Sequence, residues 1–251
     1  MAASTRNLPL KVIEPQEGWA HTHTVILLHG KGSNGQEFST EFFECKTSVP
    51  VGQPRTLRDL FPTIRWVFPS APLIHSEINN CNESQWFDIW SVAQPNDKPE
   101  IQINGLKESI ESIIDLVLQE EEDVPRRNIF LGGISQGFAT AFSTFLFGEK
   151  DYAGLIGLCG WAPSAALALL GGELDGVPDS EERDETPVFL AHSKNDPIVP
   201  LEQGRRLCSI LWRRADTVVD FHEYPDGGHW INEPTGVNDI VEFLENNMNI
   251  E

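Results

Sequence analysis

Cysteines, basic residues and long apolar runs are all scarce in this sequence. The 251 residues include four cysteines, none of which forms a C-x-x-C pair, so neither a zinc site nor a redox dithiol is expected. No apolar run approaches the roughly 20 residues that a membrane-spanning helix requires, and the opening residues hold no apolar signal core. We therefore expect a reduced cytoplasmic protein, without a metal ion and without stable insertion into a membrane.

Basic residues number 18 against 38 acidic ones, which gives a formal net charge of −20. Proteins that bind nucleic acids displace counterions from phosphates with lysine and arginine, so a chain this acidic is a poor candidate for that class. Electrostatic docking on anionic membrane leaflets is disfavoured for the same reason. The charge instead favours solubility, with mild attraction of cationic substrates as a weaker interpretation.

Short apolar runs alternate with amphipathic runs along most of the chain. The strand-like runs are 24–28, 64–68, 128–131, 155–159, 187–191 and 218–224. The helix-like runs are 106–118, 138–147, 207–211 and 240–244. Most strand-like runs are continuously apolar, as expected for central strands covered on both faces. The alternation predicts one α/β domain over 1–251, with a mostly parallel central sheet and helices on both faces.

Two segments interrupt this pattern. Segment 75–104 is polar and irregular and contains two prolines. A connection that long is unusual in a compact domain, so we predict a lid or a binding loop there. Segment 171–187 is rich in acidic residues, and we predict an acidic loop.

Ser135 lies in the sequence GISQG at 133–137, which matches G-x-S-x-G. A strand-like run enters the motif and a helix-like run leaves it, which is the setting of a nucleophile elbow. Flanking glycines let backbone segments approach closely at such a turn, and the helix N-terminus favours developing negative charge. The sequence therefore predicts a nucleophilic serine, and the alternative is a serine that only caps the helix.

A serine hydroxyl needs an adjacent base, and the base needs a third group to hold it. At a nucleophile elbow the acid, and then the histidine, follow the serine along the chain. His222 lies inside a strand-like run and His192 precedes every plausible acid, whereas His229 lies in the turn-rich loop after the last run. We therefore predict that His229 is the base, because a loop lets the ring reach over the sheet edge.

Asp196 is the predicted orienting acid, because it lies in the loop that follows the run 187–191. A carboxylate there would hold the imidazole in the required tautomer. Asp216 stays an alternative, while Asp220 lies inside a strand-like run and Asp226 lies too close to the histidine along the chain. A second interpretation of Asp196 is an Asx turn before the following proline.

Two backbone N–H groups are expected to bind the oxyanion at a nucleophile elbow. One belongs to Gln136, directly after the serine, and the other to Lys31 in the glycine-rich loop HGKGS at 29–33. That loop has neither the P-loop pattern nor the Rossmann glycine spacing, which argues against a phosphate cradle. Each donor of this kind typically contributes ~10²–10³ to turnover.

Six pieces of the sequence together resemble the acyl-protein thioesterase, lysophospholipase and carboxylesterase family of α/β-hydrolases. They run in family order over about 23–245, which is nearly the whole chain. They are LLHGKG at 27–32, PSAP at 69–72, WFD at 86–88, GGISQG at 132–137, HSKNDPIVP at 192–200 and GH at 228–229. The resemblance implies an α/β-hydrolase fold and a triad of Ser135, Asp196 and His229. It also implies no cofactor and substrates that carry an acyl chain on oxygen or sulfur.

The chain departs from this family pattern at three points. Phe138 stands where the family usually has glycine, Trp230 stands where it usually has a small residue, and the loop 75–104 is longer and more polar. These differences bear on the size of the acyl pocket more than on the chemistry. Trp86, Trp161 and Trp230 are the candidate substrate-binding residues, because aromatic side chains suit apolar pocket walls. Ordinary packing is the alternative interpretation of these tryptophans.

We expect a serine esterase or thioesterase that acts on a small acyl ester, a lysolipid or an S-acylated protein. A short-chain carboxylesterase or lysophospholipase is the alternative among enzymes. A ligand-binding module without turnover is the alternative from another class. The sequence leaves the oligomeric state open, with a homodimer as one alternative.

Overall fold

The computed structural model describes residues 8–48, 51–53, 55–171, 186–212 and 218–248. The strands are β1 Leu10–Ile13, β2 His23–Leu28, β3 Ile64–Pro69, β4 Leu73–Ser76, β5 Cys81–Ser84, β6 Ile129–Ile134, β7 Gly154–Leu158, β8 Val188–Ser193 and β9 Val219–Tyr224. The α-helices are α1 Gly35–Glu44, α2 Leu57–Leu60, α3 Pro99–Glu120, α4 Gln136–Phe147, α5 Ser164–Leu169, α6 Leu201–Trp212 and α7 Thr235–Asn247. Of the described helices, none combines the length and the apolar composition that crossing a bilayer requires.

Seven strands form one sheet in the order β1-β3-β2-β6-β7-β8-β9. β1 runs antiparallel to β3, and every other neighbouring pair in this sheet is parallel. β4 and β5 pair with each other in a separate antiparallel hairpin. The predicted mostly parallel sheet is therefore confirmed. Its parallel strands end at a common edge, which is where ligands bind in open α/β sheets.

The two faces of the sheet carry separate buried clusters. On β2, Ile26 and Leu28 belong to one cluster, whereas Val25 and Leu27 belong to the other. Such alternation is the geometry of a strand, in which successive side chains point to opposite faces. Helices α3, α4 and α6 contribute to the first cluster, and α1 and α7 contribute to the second. The prediction of helices on both faces is confirmed.

The boundaries predicted from the sequence differ from the structure mainly around α3. The helix predicted at 106–118 begins at Pro99 and ends at Glu120, because proline fits the first helical position, which has no intrahelical acceptor for an N–H. The segment 75–104 also contains β5. The expectation of an irregular segment is thus wrong for these parts. Most of the predicted acidic loop, 172–185, lies outside the described residues, as does Asp216.

Candidate active site

The three residues predicted to form the triad lie beyond the carboxyl ends of three strands. Ser135 directly follows β6, Asp196 follows β8 and His229 follows β9. The order β6-β7-β8-β9 and the parallel pairing put these three strand ends at the same edge of the sheet. The topology therefore brings these three distant stretches of the chain to one edge.

Ser135 has an unusual backbone conformation, with φ 56° and ψ −125°. A non-glycine residue in such a conformation is strained, and strain of this kind persists only where surrounding contacts enforce it. Ser135 N donates to Leu158 O at 2.8 Å, and Ser135 O accepts from Ala139 N at 3.0 Å. The Ser135 side chain makes no capping hydrogen bond to α4. The helix-cap interpretation is therefore wrong for this hydroxyl.

Glycines on both sides of Ser135 allow α4 to approach the end of β2. A Cβ built on Gly137 would lie 2.2 Å from Leu28 O, and one built on Gly133 would lie 2.5 Å from the same oxygen. Real Cβ atoms do not approach backbone oxygens so closely, so only glycine fits at either position. A Cβ built on Gly30 would lie 3.5 Å from Ser135 Cβ, which shows that the loop after β2 packs directly against the serine.

Asp196 and His229 are in direct contact, with His229 Nδ1 2.8 Å from Asp196 Oδ2. An ionised carboxylate can only accept, so the proton of this hydrogen bond belongs to Nδ1 and leaves Nε2 as the basic nitrogen. The second oxygen, Oδ1, accepts from Ile198 N at 2.8 Å and from Val199 N at 2.9 Å. Asp196 therefore makes an Asx-type turn with one oxygen and orients a histidine with the other.

The surroundings of Asp196 favour its charged form. The side chain is fully buried. Burial alone would raise the pKa of Asp196, but hydrogen bonds from His192, His229 and the Ile198 amide hold it well below its usual range. A carboxylate that stays ionised in a buried position can stabilise an imidazolium as it forms.

His192 and Cys159 also belong to this group of side chains, although the sequence did not indicate either of them as site residues. His192 Nε2 lies 2.9 Å from Val199 O and 3.3 Å from Asp196 Oδ2. Cys159 directly follows β7, and its Sγ lies 3.8 Å from Trp230 O. The signal that could have found Cys159 is its position at a strand end between the strands that precede Ser135 and Asp196.

In the part of the chain that the structure describes, one set of metal-binding residue types has its ligand atoms within 4.8 Å of one another. This set consists of Cys159, Asp196 and His229. Burial, followed by the charge of Asp196, raises the pKa of the Cys159 thiol above its usual range. A protonated thiol is a poor metal ligand, and the Asp196 oxygen is already bonded to His229. These three residues therefore lie close together because the ends of β7, β8 and β9 meet at one edge of the sheet, and not because they form a metal site. Ser135 borders this set, because its backbone bonds to Leu158, the residue before Cys159.

The loop after β2 is fixed by His29, which is completely buried. Burial lowers the pKa of His29 to about 4, so the ring is neutral at physiological pH. Its Nδ1 donates to Gly30 O at 2.7 Å, and its Nε2 accepts from Ala71 N at 2.9 Å. The Trp86 indole N–H donates to His29 O at 2.8 Å. These bonds set the course of the chain just before Lys31.

The backbone N–H groups of Lys31 and Gln136, the predicted oxyanion donors, donate to no acceptor among the described residues. Free N–H groups are what an oxyanion hole requires. The Gln136 side chain is buried and engaged, since its Oε1 accepts from Trp86 N at 3.0 Å and its Nε2 donates to Phe87 O at 2.7 Å. The donor roles of the two amides stay predictions.

The three tryptophans predicted to bind substrate have different surroundings. Trp86 is 1% exposed and Trp161 is 0% exposed, so both are core residues. Trp230 is half-buried and its ring packs edge-on against Phe38, with centroids 5.9 Å apart. Trp86 uses its polar atom to fix the loop at His29. Substrate contact by these residues stays a prediction.

Comparison with known proteins decides the family. The model of the phospholipase/carboxylesterase family of α/β-hydrolases matches residues 9–248. The chain belongs to this family. A curated relative, acyl-protein thioesterase 1 of Cryptococcus neoformans var. neoformans, is 31% identical over 246 residues, which cover 92% of this chain and 94% of the relative. Acyl-protein thioesterase 1 of Emericella nidulans is 28% identical over 231 residues, covering 90% of each chain.

Solved structures agree on the fold of this family member. Acyl-protein thioesterase 2 of Zea mays matches with a TM-score of 0.70 at 21% identity, covering 97% of this chain and 100% of that one. SOBER1 of Arabidopsis thaliana matches with a TM-score of 0.69 at 24% identity, covering 91% and 100%. The α/β-hydrolase fold expected from the sequence is confirmed. Family membership makes the chain a serine hydrolase that acts on esters or thioesters, as also expected.

Proposed function

We propose that this serine hydrolase cleaves acyl esters or thioesters with Ser135 as nucleophile, His229 as base and Asp196 as orienting acid. The hydrogen bond between Asp196 Oδ2 and His229 Nδ1 carries this proposal, because it leaves Nε2 as the basic nitrogen at the sheet edge where Ser135 lies. The strained backbone of Ser135 gives further support. Strained serines at strand-to-helix turns present the hydroxyl to substrate.

The reaction follows from these positions in two halves. His229 Nε2 takes the proton of the Ser135 hydroxyl while Oγ bonds to the acyl carbonyl carbon, and the oxyanion accepts hydrogen bonds from the amides of Lys31 and Gln136. The carbonyl re-forms, the bond to the leaving oxygen or sulfur breaks, and His229 returns the proton to the leaving group. Water then repeats the sequence on the acyl-enzyme, which releases the acid and restores the serine.

We propose thioesters of acylated proteins as the first substrate class, since the curated relatives that match over nine-tenths of the chain are named acyl-protein thioesterases. A short-chain carboxylesterase or lysophospholipase activity is the second candidate. It is favoured by Trp230 beside His229, because a large aromatic side chain in the wall of an acyl pocket shortens that pocket.

A serine-to-alanine change at position 135 tests the proposed chemistry. Ser135→Ala is expected to abolish both p-nitrophenyl acetate hydrolysis and labelling by a fluorophosphonate probe, because the hydroxyl forms the covalent bond. Ser112→Ala, at a half-buried position of α3 where the hydroxyl bonds only to Glu108 O of its own helix, is the matched control and should keep both. Normal turnover by Ser135→Ala would refute the assignment.

Matched series of oxygen and sulfur esters of rising acyl length separate the two substrate classes. Long-chain thioesters as the best substrates, ranked by kcat/KM, would support the first candidate. A steady fall beyond short acyl groups, on oxygen and sulfur alike, would support the second.

The proposed location is cytoplasmic. Support comes from the four cysteines, all of which are free thiols, as is usual in reducing compartments. A homodimer stays a prediction, which sedimentation velocity at micromolar concentration checks.

A further inference from the structure

The β4–β5 hairpin lies beside the loop 29–33, which we call the oxyanion loop, and its last residues contact that loop at three points. Gly32 N donates to Ser84 O at 2.7 Å, and Ser84 Oγ donates to Ser33 O at 2.6 Å. The Lys31 ammonium forms an ion pair with the Glu83 carboxylate. The end of the hairpin is thus tied to the part of the oxyanion loop that carries the Lys31 amide.

Two residues farther along the chain, Trp86 is tied to the other candidate donor. The Gln136 side chain accepts from Trp86 N at 3.0 Å and donates to Phe87 O at 2.7 Å. Gln136 is also the residue whose backbone N–H is the second candidate oxyanion donor. We call residues 84–86 the brace. Through two peptide bonds, the brace connects the contacts at the Lys31 amide to the contacts at the Gln136 side chain.

The brace is itself fixed in the body of the protein. Gln85 is fully buried, and its N–H donates to Pro72 O at 3.2 Å. The Trp86 indole donates to His29 O at 2.8 Å, and Trp86 O accepts from the Ser109 hydroxyl on α3. A segment with bonds on every residue has little freedom to move relative to the sheet.

Few contacts within the oxyanion loop hold the backbone at Gly32 in place. Gly32 has φ +86°, and a side chain built there would meet no atom of the described residues within 4 Å. The remaining backbone bond within the loop is the turn from Ser33 N to Gly30 O, at 3.3 Å. The position of the Lys31 amide therefore depends on His29 before it and on the hairpin contacts after it.

We propose that the brace fixes the spacing between the two N–H groups of the oxyanion hole, with Ser84 and the Gln136 side chain as positioning residues. This inference rests on the proposed function, because it needs the Lys31 and Gln136 amides as donors. Oxyanion donors are effective only when they point at the place where the charge develops. A displacement of about 1 Å can cost ~10²-fold in rate.

The test compares Ser84→Ala with Ser84→Thr in the full chain. The alanine removes the bond to Ser33 O, whereas threonine keeps a hydroxyl at the same place. For Ser84→Ala, kcat per active site titrated with fluorophosphonate is expected to fall ~10- to 100-fold, with KM within a factor of two. The loss should fall on kcat because the bond matters mainly in the transition state. Ser84→Thr is expected to restore most of kcat.

A second readout follows the oxyanion directly. A trifluoromethyl ketone that adds reversibly to Ser135 forms the same tetrahedral oxyanion, so its Ki in Ser84→Ala should rise in proportion to the loss of kcat/KM. Asn82→Ala changes an exposed residue of the same strand and is the matched control, with unchanged kcat and Ki. A role of Ser84 in folding alone would lower the fraction of titratable sites and leave kcat per site and Ki unchanged.

If Ser84→Ala does not accumulate as folded protein, Glu83→Gln is the second variant to test. It removes the charge that pairs with Lys31, and Glu77→Gln, at the exposed turn of the hairpin, makes the same charge change without that contact. If kcat and Ki are unaltered in both Ser84→Ala and Glu83→Gln, the proposed role of the brace is wrong. The proposed function then still stands, provided that Ser135→Ala inactivates the enzyme. Activity that survives Ser135→Ala would overturn the function itself.

Discussion

The ring of Phe138 lies against the backbone of Gly157, so closely that a Cβ built on Gly157 would be 2.5 Å from the ring atoms Cε1 and Cζ. Gly160 contacts the same ring, with a built Cβ 2.6 Å from Cδ1. Phe138 is fully buried. The large side chain that follows the nucleophile turn is thus accommodated by two glycines at the end of β7.

Gly157→Ala is expected to lower the free energy of unfolding by ~1–3 kcal/mol, because the new methyl group overpacks the core against Phe138. Urea unfolding followed by circular dichroism measures this change. In a Phe138→Ala background the same substitution should cost less, since the two ring atoms are gone and the remaining close atom is Leu190 Cδ2, at 2.7 Å, near the end of a flexible side chain. An equal cost in both backgrounds would show that the two residues are not coupled.

Asp196→Asn is expected to lower kcat ~10³- to 10⁴-fold, because asparagine stabilises the wrong imidazole tautomer and cannot stabilise the imidazolium. Steady-state hydrolysis of p-nitrophenyl acetate measures the effect. Asp220→Asn is the matched control, since Asp220 is 59% exposed and pairs with His222 instead. A loss of less than tenfold at Asp196 would show that another group orients the histidine.

The parts of the fold predicted from the sequence are those that have a strong local pattern. All six strand-like runs form strands of the central sheet, because continuous apolar runs are the pattern of strands covered on both faces. The contact between Asp196 and His229 could also be predicted, since both lie in loops after strands, and parallel strands bring such loops to one edge.

The parts that could not be predicted depend on contacts between distant segments. β4 and β5 are four residues each and have mostly exposed or half-buried side chains, so neither gives the long continuous apolar run that marks the central strands. The bonds of Gln136 to Trp86 and Phe87 join residues about fifty positions apart. No local spacing indicates such a pair.

Cys81 and Cys159 are expected to react very differently with iodoacetamide. Cys81 is exposed and Cys159 is buried, and burial also raises the pKa of the Cys159 thiol, so little reactive thiolate forms. Peptide mass spectrometry after brief labelling of the folded protein should find the modification at Cys81 and not at Cys159, and both should react in urea. Equal labelling of the folded protein would contradict the burial of Cys159.

Acid is expected to destabilise the fold between about pH 6.5 and pH 4 through His23 and His29. Burial lowers the pKa of both residues from 6.5 to about 4. In this window the unfolded chain binds protons that the folded chain excludes, so the free energy of unfolding falls as the pH falls. The full contribution, on the order of 3 kcal/mol per histidine, is present above pH 6.5 and is lost by pH 4.

Urea unfolding at a series of pH values checks this dependence. His23→Leu should reduce the slope by about one proton, because leucine cannot be protonated in the unfolded chain. His75→Gln, at an exposed position of β4, is the control and should keep the wild-type slope. An unchanged slope in His23→Leu would mean that His23 is protonated equally in both states.

His229 follows β9, which lies at the margin of the sheet and pairs with β8, while Ser135 follows the interior strand β6, whose residues are all buried. Marginal strands open at lower free energy than interior ones. Fraying of that margin would carry the imidazole away from the serine while the interior of the sheet remained assembled. Esterase activity should therefore be lost under milder denaturing conditions than secondary structure. An esterase assay would then detect partial unfolding before a measurement of secondary structure does.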